Sequence, residues 1–164
     1  MTTAHEQIKL NVAQAIAEDA EIKAYCVANF RRPLQVIVNR YGEEGFPGEA
    51  EAPFAFLYSD GENELGNVDE ETFDFVIVIG AVDPADSPTK NAVMERSQDS
   101  SGLVVCGIAD KVEAVRGMVE RIVRQSVHGA CFRTASRTES NLCDFPLEWA
   151  KLRCNFFEPE TLED

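Results

Sequence analysis

At 164 residues, 45% of them hydrophobic, the chain is long enough to bury a full core in one domain, which excludes disorder along its whole length. Its 29 acidic and 15 basic residues give a formal charge of -14, which argues against tightly bound nucleic acid, because duplex binding draws on cationic groups that displace counterions. No apolar run approaches the ~20 residues of a membrane span, and "MTTAHEQIKL" has neither the basic flank nor the apolar core of a signal peptide, so a cytoplasmic protein with no membrane partner is expected.

Along the chain, residues 5–18 repeat apolar side chains at Ile8, Val12, Ala15 and Ile16, the stripe of a helix with one buried face. "EIKAYCVANF" reads as a second, short helical piece. Arg31 and Arg32 precede Pro33; the pair fits a phosphate or a partner's carboxylates, although adjacent arginines in a loop are most often simply solvated. "PLQVIVNR" and "PFAFLYS" read as short strands, separated by "YGEEGFPGEAEA", whose Gly, Pro and Glu content predicts a solvated loop.

After the acidic turn "DGENELGNVDEE" comes "ETFDFVIVIGAVD", residues 71–83, apolar at nearly every position. As a strand it presents Phe73, Phe75, Ile77 and Ile79 on one face and Val76, Val78 and Val82 on the other. Helices can cover one face. The other calls for a neighbouring subunit, for the following segment folding back, or for a second helical layer. Asp83-Pro84 ends the strand, and residues 84–102, rich in Pro, Asp and Ser, predict a long loop with contact duties in which only "NAVMER" can form a helical turn.

The clearest helix follows. Ile108, Val112, Val115, Val119, Ile122 and Val123 form one stripe, with Asp110, Glu113, Glu120 and Arg124 on the other side and an expected end at "VHG", where His128 suits the dipole and Gly129 the left-handed cap. Gly117 beside the stripe costs about 1 kcal/mol relative to alanine, which points to simple tolerance or to a close backbone approach. "ACFRTASRTES" and "PLEWAKLRCNFF" around "NLCD" predict a hairpin, with Ala150, Leu152, Cys154 and Phe156 facing the core and Lys151, Arg153 and Asn155 outward. A turn centred between Leu142 and Cys143 makes Cys131 and Cys154 cross-strand neighbours. Residues 158–164 form an acidic tail.

Chemistry-bearing motifs are sparse. Cys26, Cys106, Cys131, Cys143 and Cys154 are odd in number and form no CxxC pair, and only His5 and His128 are available as basic partners for a thiol, so all five are expected to be reduced. There is no GxxxxGK[ST], GxGxxG, GxSxG or HExxH. No catalytic residue, cofactor-binding residue or metal ligand is assigned, and no enzyme activity is expected.

The succession of N-terminal helix, strand, acidic loop, long apolar strand "ETFDFVIVIGAVD", amphipathic helix "ADKVEAVRGMVERIVRQSV" and hairpin closed by "PLEWAKLRCNFFEP" resembles the tail terminator, or tail completion, proteins of long-tailed bacteriophages, of the lambda-type minor tail protein U kind. The likeness covers most of residues 1–164; the length of 84–102 departs from the pattern. The resemblance implies a single α+β domain, a mostly antiparallel sheet of four to five strands with two main helices packed on one face. It implies a structural phage or prophage protein that assembles in the host cytoplasm and joins the virion tail. There a homo-oligomeric ring, a hexamer, would cap the tail tube protein, face the head-tail connector and let DNA pass as cargo. The acidic balance suits a lumen to which DNA does not stick. A different head-tail connector or tail tube subunit, and a ferredoxin-like enzyme or ligand-binding domain, are the alternative readings.

Overall fold

Three helices in the computed structural model, which describes residues 4–41, 45–59, 72–82, 95–98, 104–125, 131–139 and 147–157, bury their apolar stripes in one core. The first, α1 (Ala4–Glu18), turns Ile8, Val12, Ala13 and Ile16 inward. Asp19 then separates it from α2 (Ala20–Phe30): its backbone is extended and its carboxylate accepts the Glu21 amide at 3.1 Å, satisfying a donor that the new helix cannot. Helix α2 buries Ile22, Cys26 and Phe30 at successive four-residue steps and closes on Arg31 in the left-handed region, φ 62°. The third, α3 (Gly107–Val123), buries the stripe from Ile108 to Val123, and its Arg121 reaches Asp19 and Glu21 at 3.0 and 2.9 Å.

Among the described residues, five strands form one sheet: β1 (Gln35–Val38), β2 (Phe54–Tyr58), β3 (Thr72–Val82), β6 (Cys131–Glu139) and β7 (Leu147–Phe157), in the order β1-β2-β3-β7-β6. Strands β1 and β2 run parallel; the other three pairings are antiparallel. Strand β3 is central because both its faces are apolar, and its pairing with β7 is continuous from Thr72↔Phe157 to Val82↔Leu147. Phe75, Ile77, Ile79, Leu152, Cys154 and Phe156 meet the helices, with the rings of Phe75 and Phe156 stacked at 5.5 Å. A separate pair, β4 (Glu95–Gln98) and β5 (Val104–Cys106), lies between β3 and α3 in the chain.

The architecture is α+β, as expected, with four differences in detail. The second helical piece is a full element, so three helices pack on the sheet rather than two. The span 84–102 carries β4, so it is not loop throughout; its 84–94 and 99–102 portions lie outside the described residues. The hairpin register is also shifted: Cys131 pairs with Phe157, Cys154 with Ala135, and Glu139 with Ala150. An irregularity between Phe132 and Thr134 displaces one strand by a residue, which no turn rule applied to "NLCD" anticipates. Helix α3 closes at Val123, short of the expected "VHG"; His128, Gly129 and the tail 158–164 lie outside the described residues.

Candidate functional site

The second face of the sheet begins with a glycine. Phe54 and Gly80 are direct cross-strand partners, and the ring of Phe54 occupies the space over Gly80 that a side chain would need. Phe56 pairs with Val78 and stacks on Tyr58 at 5.1 Å, so an aromatic layer from β2 covers the middle of β3. Ala52, Phe54, Phe56, Val76 and Val78 are all buried within a single chain. Of the three covers open for this face from sequence, a neighbouring subunit is not needed to bury Val76 and Val78.

Much of this cover comes from the crossover that two parallel strands demand. Between β1 and β2 the chain passes over the second face, and Phe46 packs edge-on against Phe54 and Phe56 at 6.2 and 5.7 Å while remaining 52% exposed. Two arginines tether the segment. Arg40 makes a two-pronged pair with Glu51 at 2.5 and 2.6 Å and donates from Nε to the Gly45 carbonyl, and Arg32 donates to the Ala50 carbonyl at 2.9 Å. Hydrogen bonding from Arg40 leads in holding the Glu51 carboxyl below its ordinary pKa; burial opposes it, and the Gly48 amide and the Arg40 charge add to the lowering. The stretch expected to be a solvated loop thus buries Gly45, Pro47 and Ala52.

Beyond β3 the same face continues onto β7 with Trp149, Lys151 and Arg153, each partly exposed. It ends where Asn155 donates to Asp74. The second face thus carries an exposed Phe46 over the buried aromatic layer of β2 and, apart from it on β7, the partly exposed Trp149, Lys151 and Arg153; aromatic and arginine side chains are enriched at protein contacts.

Two polar clusters escape sequence periodicity. Lys9, on the margin of the α1 stripe, is buried; its Nζ meets Glu6 at 2.6 Å and donates to Ser59 Oγ at 3.0 Å. Glu6 accepts from Asn39 at 2.6 Å, and the Tyr41 hydroxyl donates to Asn39 Oδ1. Helix α1 is thereby tied to the residues that follow both parallel strands. On α3, Arg116 is buried between Glu113 and Glu120, and Glu120 also accepts from Arg124. Glu120 therefore lies inside, not on the solvated side expected for it. The hydrogen bond to Glu113 leads in raising the Arg116 pKa, burial opposes it, and Glu120 adds to the rise. The Glu-x-x-Arg-x-x-x-Glu-x-x-x-Arg spacing from Glu113 to Arg124 was the available signal.

The remaining expectations fall as follows. Arg31 caps α2 and is exposed, whereas Arg32 is committed to Ala50. Around Gly117 a β-carbon would meet nothing within 4 Å among the described residues, so they make no close approach there. Cys26 and Cys154 are free, buried thiols; burial pushes Cys26 up to about 11, and burial followed by the charges of Glu120 and Asp74 pushes Cys154 higher still. Cys106 stands in β5, Cys131 in β6 and His5 in α1, while Cys143 lies outside the described residues. Among the described residues, no three His, Cys, Asp or Glu side chains come together as a metal site, and no helix is long and apolar enough to cross a membrane. No protein-family model, curated protein or solved structure matches the chain.

Proposed function

We propose that the protein is a structural subunit of a phage or prophage tail, of the tail-terminator kind, which forms a homo-oligomeric ring on the end of the tail tube and presents a surface to the head-tail connector. The reading is supported by the order of elements within one sheet: helices, a short strand, the long two-faced strand β3, the amphipathic helix α3 and the closing hairpin β6–β7. The partly exposed Trp149, Lys151 and Arg153 on one face of β7 offer a patch for side-by-side contact. A heterologous patch pairing that closes by rotation generates a ring. The formal charge of -14 per subunit suits a lumen through which DNA passes without adhering. Negative-stain imaging of the concentrated protein tests the reading: closed rings support it, and open tubes would point instead to a tail tube subunit.

A further inference from the structure

The sheet has two outer strands, and they differ in how their edges are protected. Strand β6 is irregular between Phe132 and Thr134 and carries Arg133 and Arg137 in its sequence, devices that discourage pairing with another chain. Strand β1 has none of them. Its sequence Gln-Val-Ile-Val contains no charge and no proline, its register with β2 is unbroken, and among the described residues no strand pairs with its outer side.

The phase of the backbone is fixed by two hydrogen bonds, Gln35 N–H to the Pro53 carbonyl and Asn39 N–H to the Leu57 carbonyl, both at 3.0 Å. Parallel pairing uses alternate residues, so Gln35, Ile37 and Asn39 serve the ladder to β2, and the amides and carbonyls of Val36 and Val38 point to the open edge. The flanks of that edge are apolar: Val36 and Val38 lie against the helix-side core and Ile37 against the second-face cluster, each only partly buried. Ahead of the strand, beyond Pro33 and Leu34, Arg31 and Arg32 are both exposed, and Arg32 donates to the Ala50 carbonyl while Arg31 is the left-handed residue that closes α2.

We infer that β1 is a strand-addition site for an extended acidic segment of a partner protein. The backbone of that segment pairs with Val36 and Val38, its alternate apolar side chains rest beside Val36, Val38 and Ile37, and its carboxylates meet Arg31. Main-chain bonds supply affinity in this mode, and the flanking side chains and charges select the sequence. The site is separate from the patch on β7, so it stands or falls independently of ring formation.

The test is fluorescence anisotropy with a labelled synthetic peptide of alternating valine and threonine ending in two aspartates, beside the same peptide ending in two lysines. The acidic peptide is expected to bind at least about tenfold more tightly than the basic one. Val36→Pro and Val38→Pro each remove one outward amide without touching the ladder to β2, so both should keep the native circular dichroism, with a lower melting temperature from the lost valine packing, while weakening the peptide by about tenfold or more. Arg31→Gln should narrow the gap between the two peptides. Absence of binding by the acidic peptide, or equal binding by a folded proline variant, would overturn the proposal. So would a proline-sensitive self-association that the peptide does not compete with, since the edge would then serve a second copy of the chain.

Discussion

Phe54 takes the place of a side chain at position 80: a β-carbon built on Gly80 would lie 2.3 Å from the ring Cζ and 2.7 and 2.9 Å from two further ring atoms. The ring has no free direction in which to retreat, because it is fully buried and Phe46 packs against it. Gly80→Ala should therefore destabilise by about 1–3 kcal/mol through overpacking, although alanine is the better strand residue. Adding Phe54→Leu should make the double variant more stable than the sum of the two single changes predicts, a coupling readable from urea unfolding. Strictly additive losses would show that the two residues do not compete for the same space.

Lys9 is a buried cation whose stability rests on Glu6 and Ser59. Glu6→Gln should cost about 1–3 kcal/mol, less than for a fully enclosed pair, because the Glu6 carboxylate reaches water. Lys9→Met keeps the aliphatic stem without the charge and should cost less than Glu6→Gln. Denaturant midpoints for the two variants decide the order, and the reverse order would mean that the charge is needed for more than its own neutralisation.

Gly117 sits in α3 with open space where a β-carbon would be. Gly117→Ala should raise stability by about 1 kcal/mol, seen as a higher denaturant midpoint at unchanged slope. A loss of stability would reveal a neighbour at this point beyond the described residues.

Cys26 and Cys154 are held as neutral thiols by burial. Peptide-resolved alkylation of the native protein near neutral pH should leave both unmodified while the unfolded protein reacts at each. The sign of the pH effect follows from the raised values. The unfolded thiol loses its proton near its ordinary 9.0 and native Cys26 only near about 11, so its contribution to stability is complete below pH 9 and declines as pH rises toward 11. Cys154 acts in the same direction over a wider range. Stability that rose across this window would contradict the burial of both groups.

Local pattern made much of the fold readable. The stripe from Ile108 to Val123 follows the helical period, and Ala150, Leu152, Cys154 and Phe156 follow the strand period, so their inward faces could be assigned from spacing alone. What spacing does not carry is which strands become neighbours. The parallel pairing of β1 with β2 requires a crossover, which lays Phe46 on Phe54 and Phe56, and those two rings share one buried cluster with Val76 and Val78. Glu120 reads as a solvated helix residue and Lys9 gives no signal of burial, because each sits at the margin of a stripe, and burial there depends on what the neighbouring elements present. Gly80 gave no hint of its role, because that role exists only opposite Phe54.

Ring formation is most directly tested by the native mass from light scattering across a salt and concentration series. At -14 per subunit, like charges oppose closure at low ionic strength, and screening lengths near 10 Å at about 0.1 M salt weaken that repulsion. The expected result is a single subunit when dilute in low salt, rising to a discrete closed multiple as salt and concentration increase. A mass that stays at one subunit when the protein is concentrated, screened and mixed with tail tube protein would contradict the proposed function.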